Sequence, residues 1–260
     1  MRMNRQPGFT LVEMIMVIVI AGILGSMMAV FINLPLKQYV GIARRADLTD
    51  VANLALSRME SDIRSALPHS ARAASAGGVG FLEILPSSGS GRYRTTLALP
   101  GGTGNILDIG NPDGAFDVLG AMPTFVAGDQ VIVTDNTVAA AYGATYRTPW
   151  GSTAAPIVNI TSIAFPLPGN PGARFHVINQ AASYVCDPAG GTLKRYSYNI
   201  LAAQPTATAG LGTGRLLADK VSGCSFDVTQ SNSLVAISLG ISKDGETATL
   251  YKVVHVSNEP

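Results

Sequence analysis

A single carboxylate, Glu13, lies near the start of a long apolar run in this 260-residue chain. It is the only ionisable side chain between Phe9 and Leu36. An isolated carboxylate at membrane depth costs on the order of 2.5 to 3.5 kcal/mol, so Glu13 requires a cationic partner. No Lys, Arg or His follows within two helical turns. Cleavage after Gly8 would create a positive amine at Phe9 that could serve as this partner.

The element that positions Glu13 is the apolar run itself, residues 9–32. As a helix, these roughly 24 residues would extend about 36 Å, which exceeds the bilayer core of about 30 Å. The run therefore predicts a membrane-spanning helix. An uncleaved single-pass anchor remains an alternative, whereas a secretory signal peptide fits less well because its apolar core is shorter and small residues precede its cleavage site.

The residues around this run resemble the processing site of type IV prepilins and pseudopilins: Arg2 and Arg5, followed by the sequence from Gly8 to Glu13. The resemblance implies cleavage between Gly8 and Phe9 by a prepilin peptidase and N-methylation of Phe9. It also implies that Glu13 is the counter-charge to the Phe9 amine of a neighbouring subunit.

Further segments resemble the minor pilins of mannose-sensitive haemagglutinin (MSHA) type pili. The resemblance implies a low-copy subunit that starts in the bacterial inner membrane with a periplasmic head and ends in a pilus fibre or at its tip. The implied partners are membrane lipid, an inner-membrane assembly platform and other major and minor pilins. A minor pseudopilin of type II secretion and a pilus-tip adhesin are the alternatives. The segments are residues 56–68, 91–94, 116–120, 216–219 and 250–256.

The charge of the chain is nearly balanced, with a formal net charge of +1. After Pro68 there are 11 Lys and Arg residues against 12 Asp and Glu residues. Because phosphate binding depends on clustered cations, this balance argues against a dedicated nucleic-acid surface.

The expected organisation is a leader at 1–8, a membrane and fibre-core helix at 9–36, an amphipathic helix at 37–67 and a β-rich head at 68–260. Pro35 should kink the helix. In the amphipathic part, apolar residues recur every three or four positions. The pairs Arg58–Asp62 and Glu60–Arg64 are expected on its solvated face. The apolar stripe consists of Leu48, Val51, Ala55, Met59, Ile63 and Ala66.

After Pro68 and a predicted loop at 71–78, short apolar segments separated by Gly, Pro, Asn and Asp predict strands. The strongest prediction is a hairpin, in which residues 235–242 and 247–256 flank a turn at Asp244–Gly245. Long loops are predicted at 101–112, 139–156 and 202–214. The predicted fold class is α+β, a long N-terminal helix packed on an antiparallel, β-rich, pilin-like head. The other predicted strands are 79–85, 94–99, 130–134, 157–163, 174–178 and 193–198.

Cys186 and Cys224 are the only cysteines in the chain. A pair of cysteines in a domain exported across a membrane predicts a disulfide, with two unpaired buried thiols as the alternative. Neither cysteine lies in a metal-binding or redox spacing.

No catalytic constellation is evident, so the chain is not expected to be an enzyme or to need a cofactor. The histidines His69, His176 and His255 are scattered, and no phosphate-binding glycine loop is present. One oxygen-rich cluster misses the spacing of a calcium loop and is interpreted as solvated turn residues, so no metal site is predicted. Its members are Asp108, Asn111, Asp113 and Asp117.

Overall fold

The structure is a computed structural model that describes residues 8–97, 102–167, 170, 172–229 and 233–256, with backbone only at 29, 30, 32–38 and 40. The chain divides into two compact units, Met1–Asp47 and Leu48–Pro260. Each unit is described by itself.

One helix, α1, extends from Leu11 to Arg64. It continues without interruption through Gly22, Gly25 and Pro35. A proline removes only one helical hydrogen bond, so a long helix tolerates it when the flanking turns are formed.

The rest of the described chain is mainly strand, in agreement with the predicted α+β class. The fourteen strands are β1 Arg72–Ala76, β2 Val79–Ile84, β3 Ser87–Tyr93, β4 Pro112–Leu119, β5 Gln130–Ile132, β6 Arg147–Ala154, β7 Ile157–Ala164, β8 Arg174–Ile178, β9 Ala181–Asp187, β10 Thr192–Tyr198, β11 Arg215–Asp219, β12 Val221–Val228, β13 Leu234–Lys243 and β14 Glu246–His255. A short helix, α2 (Val138–Tyr142), precedes β6.

Two antiparallel sheets and the second part of α1 enclose the main core of the head. One sheet has the order β1-β2-β9-β10-β11 and the other β12-β13-β14. The predicted helix stripe is confirmed, because Leu48, Ala55, Met59, Ile63 and Ala66 are fully buried and Val51 packs against them. The facing residues include Leu82, Ile84, Tyr184, Leu193, Ile237, Leu239 and Val254.

The opposite face of the five-stranded sheet is also covered. Phe81, Val185 and Tyr196 pack with Tyr142 of α2 and with Leu211 from the loop after β10. Because both faces are buried, β9 is inaccessible along its first six residues. This explains why β9 lacks the regular alternation of apolar and polar residues that is typical of a half-buried strand.

The other six strands form a closed barrel in the order β3-β4-β7-β6-β5-β8. It has its own core, in which Phe116 contacts Tyr93 and Phe175 edge to face. In sequence, the barrel lies between β2 and β9, which are neighbours in the five-stranded sheet with Ile84 paired to Ala182. The barrel is therefore an insertion between two adjacent strands.

A disulfide between Cys186 and Cys224 joins the two sheets of the head. Cys186 lies on β9 and Cys224 on β12, with their Cα atoms 6.5 Å apart. A cross-link that closes a loop of this length restricts the unfolded chain and is worth about 3 to 4 kcal/mol in the chain-entropy model.

The C-terminal hairpin confirms its sequence prediction closely. Strands β13 and β14 pair from Leu234–His255 to Lys243–Glu246. Asp244 and Gly245 have φ angles of 51° and 83°, which correspond to the mirror-image turn preferred by two-residue hairpins.

Several other predictions are wrong. Residues 94–97 are not a strand, and 98–99 lie outside the described residues; the strand in this region is β3. The predicted loop at 139–156 contains most of α2 and all of β6. The predicted loop at 71–78 contains β1. β1 pairs with β2 across the turn at Gly77 and Gly78, and β6 pairs with β5 and β7, so pairing imposes β-structure on residues of weak intrinsic preference.

Met59→Ala should lower the free energy of unfolding by about 2 to 5 kcal/mol, because Met59 is fully buried between the helix and the sheets. Leu54→Ala on the same helix is the matched control, since Leu54 is 72% exposed, and should change stability by no more than about 0.5 kcal/mol. Denaturant unfolding of the detergent-solubilised chain, followed by circular dichroism, measures both. Equal losses would contradict the assigned helix face.

Candidate functional site

The predicted processing site lies just before α1. Gly8, Phe9 and Thr10 are outside regular secondary structure, and the helix begins at Leu11. The Phe9 side chain is 79% exposed. An exposed, non-helical segment can enter a protease active site more readily than a helix can. Arg2 and Arg5 lie outside the described residues.

Glu13 takes part in a reciprocal hydrogen-bond pair with Thr10. The Thr10 backbone N–H donates to Glu13 Oε2, and the Glu13 backbone N–H donates to Thr10 Oγ1, both at 3.4 Å. This is the capping-box arrangement, which satisfies two N–H groups that the helix leaves unpaired at its start. Sequence reasoning missed it, although Thr-x-x-Glu before an apolar run is its recognised signal.

The first part of α1 presents apolar side chains that its own chain does not cover. The segment Leu11–Met28 is long and apolar enough to cross a membrane, and none of it is buried. Side chains on different faces of the helix, such as Ile15, Val17 and Ile18, are all more than half exposed. Exposed apolar surface of this extent requires lipid or neighbouring protein.

In the head, Asp62 connects the helix to the five-stranded sheet. Its Oδ2 accepts a hydrogen bond from the Tyr184 hydroxyl at 2.6 Å and another from Arg195 Nε at 2.7 Å. Burial, followed by the Asp62 acceptor, raises the pKa of Tyr184 well above its usual range, so the phenol remains a donor. Asp62, which is expected on the solvated face of the helix, is therefore only partly exposed and pairs with Arg195 of β10.

Glu60 is a second link from the helix. The expected ion pair with Arg64 is confirmed at 2.5 Å, and Lys252 of β14 also pairs with Glu60. Both helical carboxylates thus bind cations on strands that are distant in sequence, which no local pattern could reveal.

A buried ion pair lies beneath α2 on the opposite face of the sheet. Arg72 donates to Glu83 at 2.9 Å, and its guanidinium lies 3.5 Å from the centre of the Tyr142 ring. Glu83 is completely buried, and burial raises the pKa of this carboxyl in spite of Arg72. Arg72 also donates to the carbonyls of Leu201 and Ala202. These hydrogen bonds hold the loop after β10 against the sheet, so the role of the ion pair is structural.

The oxygen-rich cluster is occupied by local hydrogen bonds. The Asn111 amide donates to both carboxylate oxygens of Asp108 at 3.1 Å, and Asp113 accepts from the backbone N–H of Asp108 at 3.0 Å. Asp117 is directed elsewhere and pairs with Arg94 at 3.0 Å. Within the described ranges, no group of three or more His, Cys, Asp or Glu side chains is arranged to hold a metal.

His176 on β8 is the most buried of the three histidines. It is 3% exposed, and its Nδ1 has no hydrogen-bond partner among the described residues. Burial, with a smaller effect of the Arg174 charge, lowers the pKa of His176 to about 4. The folded head therefore holds a neutral imidazole.

The stability of the head should decrease as the pH falls from about 6.5 to about 4. In that interval the unfolded chain protonates His176 and the folded chain does not, so protons favour unfolding. The contribution is roughly 3 kcal/mol at most. His176→Gln should reduce the difference in unfolding free energy between pH 7 and pH 4 by a comparable amount, as urea unfolding at each pH will measure. An unchanged difference would contradict the assigned protonation state.

Comparison with known proteins identifies the N-terminal segment. The family described as the prokaryotic N-terminal methylation motif matches residues 3–29, which include Arg5, Gly8, Phe9 and Glu13. No curated protein and no solved structure matches the chain. The motif, the exposed apolar helix and the antiparallel β-rich head together support a type IV pilin-like protein.

Proposed function

We propose that this chain is a minor pilin, similar to MshO, that takes part in the initiation or tip complex of an MSHA-type type IV pilus. A prepilin peptidase cleaves it between Gly8 and Phe9 and methylates the new amine. The mature chain then starts in the inner membrane with its head in the periplasm, and an assembly platform transfers it into the fibre together with other pilins.

The observation that carries this proposal is the exposed apolar helix directly behind the processing motif. The motif covers residues 3–29, and Leu11–Met28 within it buries none of its surface in the chain. In the membrane, lipid covers these side chains; in a fibre, the helices of neighbouring subunits replace lipid. The apolar side chains are thereby excluded from water in both environments, so the favourable free energy of removing them from water is retained.

Glu13 provides the register of assembly in this mechanism. Its carboxylate lies within the first turn of the helix, close to the future amino terminus at Phe9. A neighbouring subunit's Phe9 amine satisfies the buried charge only at one axial offset. A buried pair of this kind contributes more to specificity than to net stability.

Two features of the head support this location and role. The disulfide between Cys186 and Cys224 suits an oxidising compartment such as the periplasm. The barrel inserted between β2 and β9 enlarges the head. A subunit that repeats along a fibre must accommodate every added element at each repeat, so an enlarged head favours a terminal position.

A minor pseudopilin of type II secretion is the second candidate. The segment at 56–68, which forms the buried end of α1 and the turn after it, resembles the larger minor pseudopilins as well. Neighbouring genes distinguish the two: genes for a pilus with a major pilin support the first, and genes for a secretin and secreted proteins support the second.

Intact-mass measurement and N-terminal sequencing test the processing step directly. The chain purified from membranes should begin at methylated Phe9 in the presence of the prepilin peptidase and at Met1 in its absence, because only cleavage after Gly8 frees the Phe9 amine. A Met1 terminus in both cases would reduce the chain to an uncleaved anchor and remove the fibre mechanism.

Glu13→Val should leave the protein inserted in the membrane but reduce its recovery in sheared fibres about tenfold or more, a factor that corresponds to about 1.4 kcal/mol. Glu13→Gln is the matched control, because an amide oxygen can still accept the Thr10 N–H bond while the charge is lost. Both variants should fail to incorporate. Normal incorporation of Glu13→Gln would show that the cap, and not the charge, is what Glu13 provides.

A further inference from the structure

Strand β14 forms an edge of the three-stranded sheet. Three observations establish which of its residues direct their backbone N–H and C=O groups towards β13. The two-residue turn makes Lys243 and Glu246 a hydrogen-bonded pair. At the far end the Val256 N–H donates to the Ser233 carbonyl at 2.9 Å. On β13 the Ser242 N–H donates to Lys220, away from β14. All three require the same alternation.

This alternation determines which peptide groups of β14 face the open edge. Hydrogen-bonded and non-hydrogen-bonded pairs alternate along an antiparallel ladder. The peptide groups directed away from β13 belong to Thr247, Thr249, Tyr251, Val253 and His255. The ladder therefore leaves five N–H and five C=O groups along an edge about 34 Å long.

The side chains of the same five residues are all exposed. Tyr251 is 70% and Val253 is 46% exposed, while the intervening Leu250 and Val254 point into the core. None of the five is Lys, Arg, Asp or Glu. On this side the neighbouring strand contributes small residues over most of its length, such as Ser238 opposite Tyr251 and Ala236 opposite Val253, and Leu234 opposite His255 at the end. The edge thus has an accessible backbone and a flat, uncharged flank.

Proteins usually protect edge strands with charges, prolines, bulges or short length, because unpaired edges bind other strands. Of the four edges that the described parts of the two sheets form, three have such protection. β1 has five residues, and β11 has five with exposed Arg215 and Asp219 at its ends. β12 has a bulge near Val221 and an exposed Asp227. β14 has ten residues, no bulge in its pairing and no charge on its exposed flank.

We propose that the β14 edge binds an extended, uncharged segment from the head of a neighbouring subunit in the same fibre, which adds a fourth strand to the three-stranded sheet. The inference rests on the proposed function, since it requires a fibre. The backbone groups of Thr247 to His255 provide the hydrogen bonds, and the exposed flank selects a strand whose facing residues are apolar or hydroxylated.

The size of the contact favours a tethered neighbour over a free protein. One added strand on a three-stranded sheet buries less surface than the roughly 800 Å² per partner of a stable interface, and an isolated strand pair is marginal in water. A neighbour held alongside by its own anchor helix has a high effective concentration, which makes a weak contact sufficient.

The geometry of a fibre also argues against pairing between two copies of β14. Two identical strands that pair antiparallel form a two-fold symmetric, closed contact, whereas the subunits of a helical fibre meet through different surfaces. The occupant is therefore a different segment of the adjacent subunit, and not the β14 of a second copy.

Thr249→Pro and Val253→Lys test the edge in the full chain. The Thr249 N–H points away from β13, so a proline there removes an outward donor while leaving the internal ladder intact. Lysine at the exposed position 253 adds the charge that other edges use for protection. Thr249→Val and Val253→Thr are the matched controls.

We expect each test variant to be processed at Gly8 and to reach sheared fibres about tenfold less than its control, a factor of about 1.4 kcal/mol. Formation of the Cys186–Cys224 disulfide and an unchanged thermal midpoint establish that the head is folded. Full incorporation of both folded test variants overturns the proposal.

A photo-crosslinking amino acid at Tyr251 identifies the occupant, with Leu216 on β11, which is 58% exposed, as the control position. Cross-links from position 251 to the head of another anchored subunit, absent from position 216, support the proposal. Cross-links only to a second copy of β14, only to a soluble protein, or to nothing overturn it. If the unmodified chain itself is absent from fibres, the proposed function fails first, and the two failures are therefore distinguishable.

Discussion

The apolar surface at Leu11–Met28 is the constraint on which the rest of this protein depends. The described chain covers none of it, and its free energy in water would be prohibitive. Lipid or other helices must therefore surround this segment throughout the life of the protein. The reciprocal bonds between Thr10 and Glu13 begin the helix without any contribution from the head. The segment can thus be a complete helix in either environment.

The second part of α1 differs from the first, because its apolar stripe is packed into the core of the head. Apolar packing supplies most of the energy there, and two carboxylates set the geometry. Asp62 binds Tyr184 and Arg195 of the five-stranded sheet, while Glu60 binds Lys252 of the other sheet. The disulfide joins the same two sheets. The second part of α1, the two sheets and the cross-link therefore belong to one core within the head.

Sequence periodicity predicted the parts of the fold that depend on local pattern. The stripe from Leu48 to Ala66 and the hairpin around Asp244–Gly245 were both evident, since each repeats at the period of its own secondary structure. The processing motif was equally local. The role of Asp62 was not predictable, because its partners lie 122 and 133 residues away.

The strands β1 and β6 were not predicted, and the physical reason is the same for both. β1 contains only arginine, alanine and serine, and β6 contains Pro149 and Gly151. Such residues have weak β preference, and pairing with β2 or closure of the barrel fixes their conformation. A register shift between Trp150 and Ser152 accommodates β6 in the barrel. Tertiary context therefore overrides local preference at these positions.

The position of the barrel has an evolutionary consequence. It leaves and re-enters the head between β2 and β9, which are already paired, and the core formed with the helix includes no barrel residue among the described side chains. A lineage could accordingly exchange or enlarge the barrel without redesigning the surface that holds the helix, provided that α2 of the same insertion still covers the other face of the five-stranded sheet. Selection on the surface of the barrel can then proceed separately from selection on the packing of the helix.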